Sequence, residues 1–426
     1  MKLTIDRERL VRELEELGAI SEAPSPVVTR VVFTEADLRG RAYVKGLCAA
    51  AGLRLREDAV GNTFARWEGS ERELPAVATG SHIDAIPNAG RFDGTVGVLG
   101  GLEAIRALSR SGFRPRRSIE LVIFTSEEPT RFGIGCFGSR LMAGLLDAGA
   151  GSRLKDRDNV TLDEARAAAG FTGPLSEVRL PSGFYSAFVE LHIEQGPLLE
   201  RNEVGIGVVT AIAAPATLHM AIEGEGGHAG AVLMPDRHDA FLAAAEIALA
   251  VEEAARSTGF IDTVATVGVC DIFPRAVNSI PSRVRIEIDM RDIDGERRDS
   301  VLRQVWDASG KVARRRGVTI RSELLHADPP AKCDPAVVAA LSQACETHGI
   351  RCEHMISRAY HDSLFLSRIA PTAMLFIPCR GGVSHRPDEY ASPDDIARGT
   401  LVLAETLAQL STEAPGPPSP KQPPTT

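Results

Sequence analysis

The chain has 426 residues and a formal net charge of -9, with 44% hydrophobic and 25% charged residues. That length exceeds one small core and suits two domains. Acids and bases are interspersed, so there is no basic footprint for nucleic acid and no polybasic membrane patch, and neither partner is expected.

Residues 1–20 carry a charged amphipathic helical pattern instead of the apolar core of a signal segment. No run approaches the roughly 18 apolar residues that span a bilayer, so a soluble, cytoplasmic protein is expected. A second helix is predicted from Thr34, where Thr34-Glu35-Ala36-Asp37 makes an approximate capping box with Asp37 in place of the usual Glu. Apolar runs bounded by polar turns then alternate with helical periodicity. Residues 76–78 lead to His82 and Asp84, residues 119–124 to Glu127 and Glu128, and residues 187–189 to His192. The Ala-, Leu- and Gly-rich segment from Thr95 to Leu108, just after Asp93, reads as a buried helix. This alternation predicts an α/β domain with a mostly parallel sheet covered on both faces.

The pattern changes near residue 210. A strand over 217–222, an Ala-rich helix over 239–255 and a strand over 263–270 are followed by a cleanly alternating strand. There Val284, Ile286, Ile288 and Met290 share one face, and Arg285, Glu287, Asp289 and Arg291 the other. A helix over 296–315 and a strand over 318–324 complete a βαββαβ order, the split, ferredoxin-like unit. The α/β style then resumes, with a helix over 334–347 and a strand over 372–377 that delivers His385. The expected organisation is therefore a domain of residues 1–210 and 328–412, an inserted domain of residues 211–327, and a Pro-rich tail, residues 413–426, too polar to order itself. The seven cysteines are scattered with no CxxC pair, so they are expected to be reduced and structural. Cys136 and Cys379 fall nearest the proposed site.

In open α/β sheets ligands bind beyond the carboxyl ends of parallel strands, so the loops after these strands should converge. Three histidines (His82, His192, His385), Asp93 and one of Glu127 and Glu128, with the other carboxylate to spare, are the inventory of a two-metal hydrolase. His82-x-Asp84 suits a metal-ligating His whose second ring N–H goes to a carboxylate. Asp93, flanked by Gly90 and Gly94, has two readings, a helix N-cap and a carboxylate bridging two cations. Glu127 and Glu128 are adjacent on an extended segment, so one can bind metal while the other faces the substrate as a general base. Zn²⁺ and Mn²⁺ both suit such N/O ligands. His228 sits in a glycine-rich loop of the inserted domain, and Arg291 suits a carboxylate clamp or, on spacing alone, a surface ion pair with Asp289 or Asp292.

Taken together, Gly80-Ser81-His82-Ile83-Asp84, Gly90-Arg91-Phe92-Asp93-Gly94, Glu127-Glu128 and His192-Ile193-Glu194-Gln195-Gly196-Pro197 resemble the hydantoinase/carbamoylase amidohydrolases of the aminoacylase and carboxypeptidase-like di-metal clan, over residues 10 to 410. The resemblance implies one cation held by His82, Asp93 and His192 and another by Asp93, Glu128 and His385. It implies Glu127 as general base, with Asp84 beside it, and Gln195, His228, Asn278 and Arg291 as substrate contacts. In this likeness the inserted domain is a lid and dimerisation domain, and His228 reaches the site of the other subunit of a homodimer, where it also steadies the oxyanion. Members cleave the ureido group of small carboxylates such as N-carbamoyl amino acids, allantoate or ureidoglycolate, releasing ammonia and CO2. The stretches 126–134 and 359–363 look most like the ureidoglycolate branch. An N-acyl amino acid deacylase or peptidase of the same clan is the alternative.

Overall fold

The computed structural model describes residues 3–412; the tail predicted over 413–426 lies outside the described residues. Two compact units result, one of residues 3–210, 333–355 and 361–412, the other of residues 211–332 and 356–360. No helix among the described residues is long and apolar enough to cross a membrane.

In the first unit the central sheet runs in the order Ile206–Ile212, Thr372–Ile377, Tyr185–Ile193, Ala76–His82, Ile119–Phe124, Thr63–Trp67 and Arg54–Glu57. The middle four strands are mutually parallel, and antiparallel strands flank them. Every residue of Ala76–His82, Ile119–Phe124 and Thr372–Ile377 is buried, as expected of parallel strands covered on both faces. Phe124, Phe137, Leu141, Tyr185 and Phe188 belong to one core cluster of this unit, and each large apolar side chain so buried contributes roughly 1.5–3 kcal/mol. Packed onto the sheet is the helix Thr95–Arg110, which meets the helix Pro393–Thr412. Its glycines make the approach close: a Cβ on Gly97 would lie 2.3 Å from the Leu191 carbonyl oxygen. Register then levels the strand ends, pairing His82 with Phe124 and His192 with Phe376. The loops that follow these strands leave from one edge of the sheet.

The second unit is a four-stranded antiparallel sheet in the order Val264–Phe273, Arg283–Asp292, Ala214–Glu223 and Thr319–Ala327, packed by helices Ala240–Ser257 and Gly295–Arg316. Along the chain this is βαββαβ. Val284, Ile286, Ile288 and Met290 are buried with Leu218, Met220 and Ile222 against Ile247, Val301 and Val305.

Two expectations need correction. The chain returns to the first unit at Cys333 instead of 328, because Asp328 N–H donates to the Pro215 carbonyl (3.1 Å) and Ala331 pairs with Ile212. Ala213 N–H likewise donates to the Ser357 carbonyl (2.8 Å), which draws residues 356–360 into the second unit. The capping box at Thr34 is only half made. Thr34 Oγ1 accepts the Asp37 N–H at 3.5 Å, while Asp37 turns its carboxylate to Phe33 N–H (2.8 Å) and Arg41 (2.9 Å).

Candidate active site

Asp93 is the hub. The left-handed residue Gly94 (φ 66°) caps the helix without a side-chain bond, which leaves the Asp93 carboxylate free of the capping role. Its Oδ1 lies 3.1 Å from His192 Nε2 and 3.6 Å from His82 Nε2, and its Oδ2 lies 3.1 Å from His385 Nε2. Glu128 Oε1 is 3.3 Å from the same His385 nitrogen. Candidate ligand atoms of His82, Asp93 and His192 lie within 4.8 Å of one another, and so do those of Asp93, Glu128 and His385. The two groups share Asp93. A third group, Glu190, His192 and His361, meets the same distance, but Glu190 is already satisfied by the hydroxyls of Ser81 (2.8 Å) and Ser363 (2.6 Å).

The tautomers show whether a cation fits. His82 Nδ1 faces the Asp84 carbonyl at 3.0 Å, and His192 Nδ1 faces the Ile193 carbonyl at 2.9 Å. A carbonyl only accepts, so each Nδ1 carries the hydrogen, and in the neutral ring the Nε2 lone pair is on the Asp93 side, that of His192 also accepting the Gly94 N–H at 3.2 Å. Lone pair then faces carboxylate, an arrangement that a proton or a cation relieves. The residues fit divalent cations. His82 therefore uses the main chain of Asp84 and not its carboxylate, which sits at 3.7 Å. That corrects the expected H-x-D pairing, since a spacing of two also brings the carbonyl within reach. The Asp84 carboxylate instead accepts the N–H groups of Glu127 (3.2 Å) and Glu128 (3.1 Å) and fixes that turn.

Glu127 and Glu128 diverge as predicted for neighbours on an extended segment. Glu127 Oε2 approaches His82 Nε2 at 3.7 Å, and its Oε1 receives the Cys136 thiol at 3.5 Å. Burial drives the Glu127 carboxyl well above its ordinary range, with Glu128 adding and His82 opposing. Burial and then Asp93 raise Glu128 to about 7. For Asp93 burial pushes upward, but bonds to His192, His385 and His82 hold it well below the usual carboxylate range. The Asp93 bond raises His385 to about 9. Four non-glycine residues around these groups, Ser126, Cys136, Gln195 and His385, have φ between 53° and 58°. Such conformations cost of order 1–3 kcal/mol each and persist only where the surroundings enforce them.

Gln195 joins the cluster, donating from Nε2 to Asp93 Oδ2 at 2.8 Å, while its buried Oε1 has no partner among the described residues. The other expected contacts lie in the second unit. His228 is exposed on a two-residue strand paired with Ser279–Ile280, its Nδ1 accepting Gly230 N–H (3.1 Å), and Ala229 N–H donates to the Asn278 carbonyl (2.9 Å). His228 and Asn278 are thus neighbours. Arg291 pairs in a two-pronged manner with Asp289 (2.9 and 3.0 Å) and lies 5.6 Å from the Tyr360 ring. All seven cysteines are unpaired. Sequence reasoning did not single out Ser384, Glu389, His361 or Asp362 as site residues. Ser384 and Glu389 lie near His385 in the sequence, their only signal, whereas His361-Asp362, a buried pair opening a short helix, falls in the 359–363 stretch, which was read for branch resemblance alone.

A model of peptidase family M20/M25/M40 matches residues 78–409. The chain is 53% identical to a ureidoglycolate hydrolase of Arabidopsis thaliana, over 96% of this chain and 87% of that protein. It is 39% identical to an N-carbamoyl-L-amino acid amidohydrolase of Geobacillus stearothermophilus, over 96% of this chain and 99% of that protein. A crystal structure of AtUAH in complex with glyoxylate superimposes with a TM-score of 0.89 at 53% identity, covering 96% of this chain and 98% of the other.

Proposed function

Because this chain belongs to the peptidase M20/M25/M40 family of metal-dependent hydrolases, we propose that it hydrolyses the terminal ureido C–N bond of a small carboxylate, with ureidoglycolate as the leading substrate. The observation that carries the reading is the single Asp93 carboxylate presented to His82 and His192 on one side and to His385 on the other. The 53% identity to a ureidoglycolate hydrolase sets the substrate class, and Tyr360 at the head of the 360–363 stretch favours that branch over the carbamoylases. Likeness to named amidohydrolases stands against a peptidase or deacylase.

In this proposal His82, Asp93 and His192 hold one divalent cation, Zn²⁺ or Mn²⁺, and Asp93, Glu128 and His385 a second. When bound, such cations polarise the scissile carbonyl and make water a better nucleophile at neutral pH. Glu127 takes a proton from the attacking water and returns it to the leaving nitrogen, a task suited to a carboxylate whose proton affinity burial has raised. Water adds to the carbamoyl carbon, the C–N bond breaks, ammonia leaves, and the remaining carbamate decomposes to CO2 and an amine. Asp84 keeps the Glu127-Glu128 turn in place. The unpartnered Gln195 Oε1 is an acceptor suited to a ureido N–H. His228, Asn278 and Arg291 are assigned to the substrate, Arg291 exchanging Asp289 for the substrate carboxylate. The second unit is assigned as the lid and pairing domain of a homodimer.

Ammonia release from ureidoglycolate, allantoate and N-carbamoyl amino acids, measured beside dipeptide cleavage, tests the proposal. The expected order places ureidoglycolate first. Dipeptide cleavage with no ammonia from any ureido acid would replace this reading by the peptidase.

A further inference from the structure

Glu389 lies four residues beyond His385 and is 4% exposed. A buried carboxylate is unfavourable unless it is fully hydrogen-bonded, and the partners of this one are informative. Its Oε1 accepts the main-chain N–H groups of Phe92 (2.8 Å) and Asp93 (3.1 Å), and its Oε2 meets the Ser384 hydroxyl at 2.9 Å. The same hydroxyl lies 2.9 Å from Asp93 Oδ2. Ser384 immediately precedes His385, whose backbone is in the left-handed region (φ 58°). One side chain thus grips the main chain of Phe92 and Asp93 directly and reaches, at the root of the His385 loop, the Ser384 hydroxyl, whose single proton serves either Glu389 Oε2 or Asp93 Oδ2. The packing is tight: a Cβ on Gly90 would lie 2.4 Å from Glu389 Cβ.

We propose that Glu389 is a positioning residue that locks the Asp93 loop to the His385 loop and thereby sets the cation position formed by Asp93, Glu128 and His385. The inference rests on the two-cation reading above. Among the described residues Glu389 makes no direct bond to His82 or His192, whose rings are oriented by the carbonyls of Asp84 and Ile193, and it reaches their position only through the shared Asp93, whereas it holds the other through both Asp93 and the Ser384-His385 segment. Its loss therefore weakens one position more than the other.

The test uses the full-length protein loaded with Zn²⁺ or Mn²⁺, challenged with graded chelator, and read by metal content and by thermal unfolding of the metal-free form. Wild type should retain two cations. Glu389→Ala should retain one under the same conditions, the weaker position losing about 10–100-fold in affinity, as removal of outer partners of metal ligands commonly does. Glu389→Gln, whose amide oxygen still accepts the Phe92 and Asp93 N–H groups, should recover most of that loss. Gly90→Ala, which pushes Glu389 away without touching its chemistry, should reproduce the Ala phenotype. Should Glu389→Ala not fold, Gly90→Ala and Ser384→Ala carry the same expectation. Two cations held as tightly in these variants as in wild type would overturn the inference alone. Both cations lost in parallel, with a collapse of metal-free unfolding temperature, would reduce Glu389 to a general structural residue and overturn it too. A wild type that binds a single cation would overturn the two-cation reading and this inference with it.

Discussion

Glu127 sits 3.7 Å from His82 and outside both groups of converging ligand atoms. Glu127→Gln should therefore keep the metal content of wild type while turnover falls about 10²–10⁴-fold, the usual worth of a positioned acid–base group. Metal analysis beside steady-state rates checks this, and substantial activity in the variant would remove Glu127 from the proton path. A second expectation follows from protonation. His385 titrates at about 9 and Glu128 at about 7 in the metal-free protein, so near pH 7 the imidazole carries a proton that a cation must displace. Loading should release protons, and apparent affinity at this position should fall as pH is lowered through 9, by up to about tenfold per pH unit for each proton displaced. Calorimetric titration in buffers of differing ionisation enthalpy measures that release; pH-independent affinity between 6 and 9 would contradict it. The candidate residues His82, Glu127, Glu128, His192 and His385 stood out because each follows an apolar run that reads as a buried strand, and Asp93 because it lies between glycines just before a helix. Their supporting bonds did not. Whether His82 turns to the side chain or the carbonyl of Asp84, and that Glu389 reaches back to Phe92 and Asp93, depend on loop paths that leave no period in the sequence.

At the scale of elements the helix Thr95–Arg110 matters most, because Asp93 lies immediately before its N-cap, Gly94. Gly97→Val should force the helix off the Leu191 carbonyl and cost about 1–3 kcal/mol by overpacking. It should also lower turnover, since the helix and the Asp93 loop move together. Urea unfolding with a parallel rate measurement decides this; a stable, fully active variant would mean that the close approach is dispensable. Strands such as Ile119–Phe124 and Arg283–Asp292 were legible for opposite reasons, the first by an almost unbroken apolar run and the second by strict alternation. Element ends were harder. Asp37 left the capping box because Arg41, one helical turn on, offers a buried charge partner that a local motif cannot anticipate.

For the whole molecule, the change of periodicity near residue 210 is the sequence signal for a second unit, whereas segment 356–360 is held to that unit by the Ala213–Ser357 main-chain bond, the Arg358–Asp262 pair and the Arg291–Tyr360 contact, which no pattern announces. If two copies pair so that His228 of the partner subunit completes each site, mixing Glu127→Gln with His228→Ala protein should restore activity. Random exchange gives half mixed dimers, each with one sound site of two, so about a quarter of wild-type activity is the ceiling. Confirmed exchange with no recovery would mean that His228 acts within its own subunit or not at all. The sheet order carries one more consequence, for synthesis. Thr372–Ile377 occupies the slot between Tyr185–Ile193 and Ile206–Ile212, both made long before it. On the ribosome those two strands wait roughly ten to thirty seconds at 5–20 residues per second for the strand that separates them. Until then each presents an open, largely apolar edge, the template on which chains aggregate. Stalled or truncated products ending before residue 372 should thus be the insoluble ones, and the His82–Asp93–His192 ligand set is translated well before His385 leaves the tunnel.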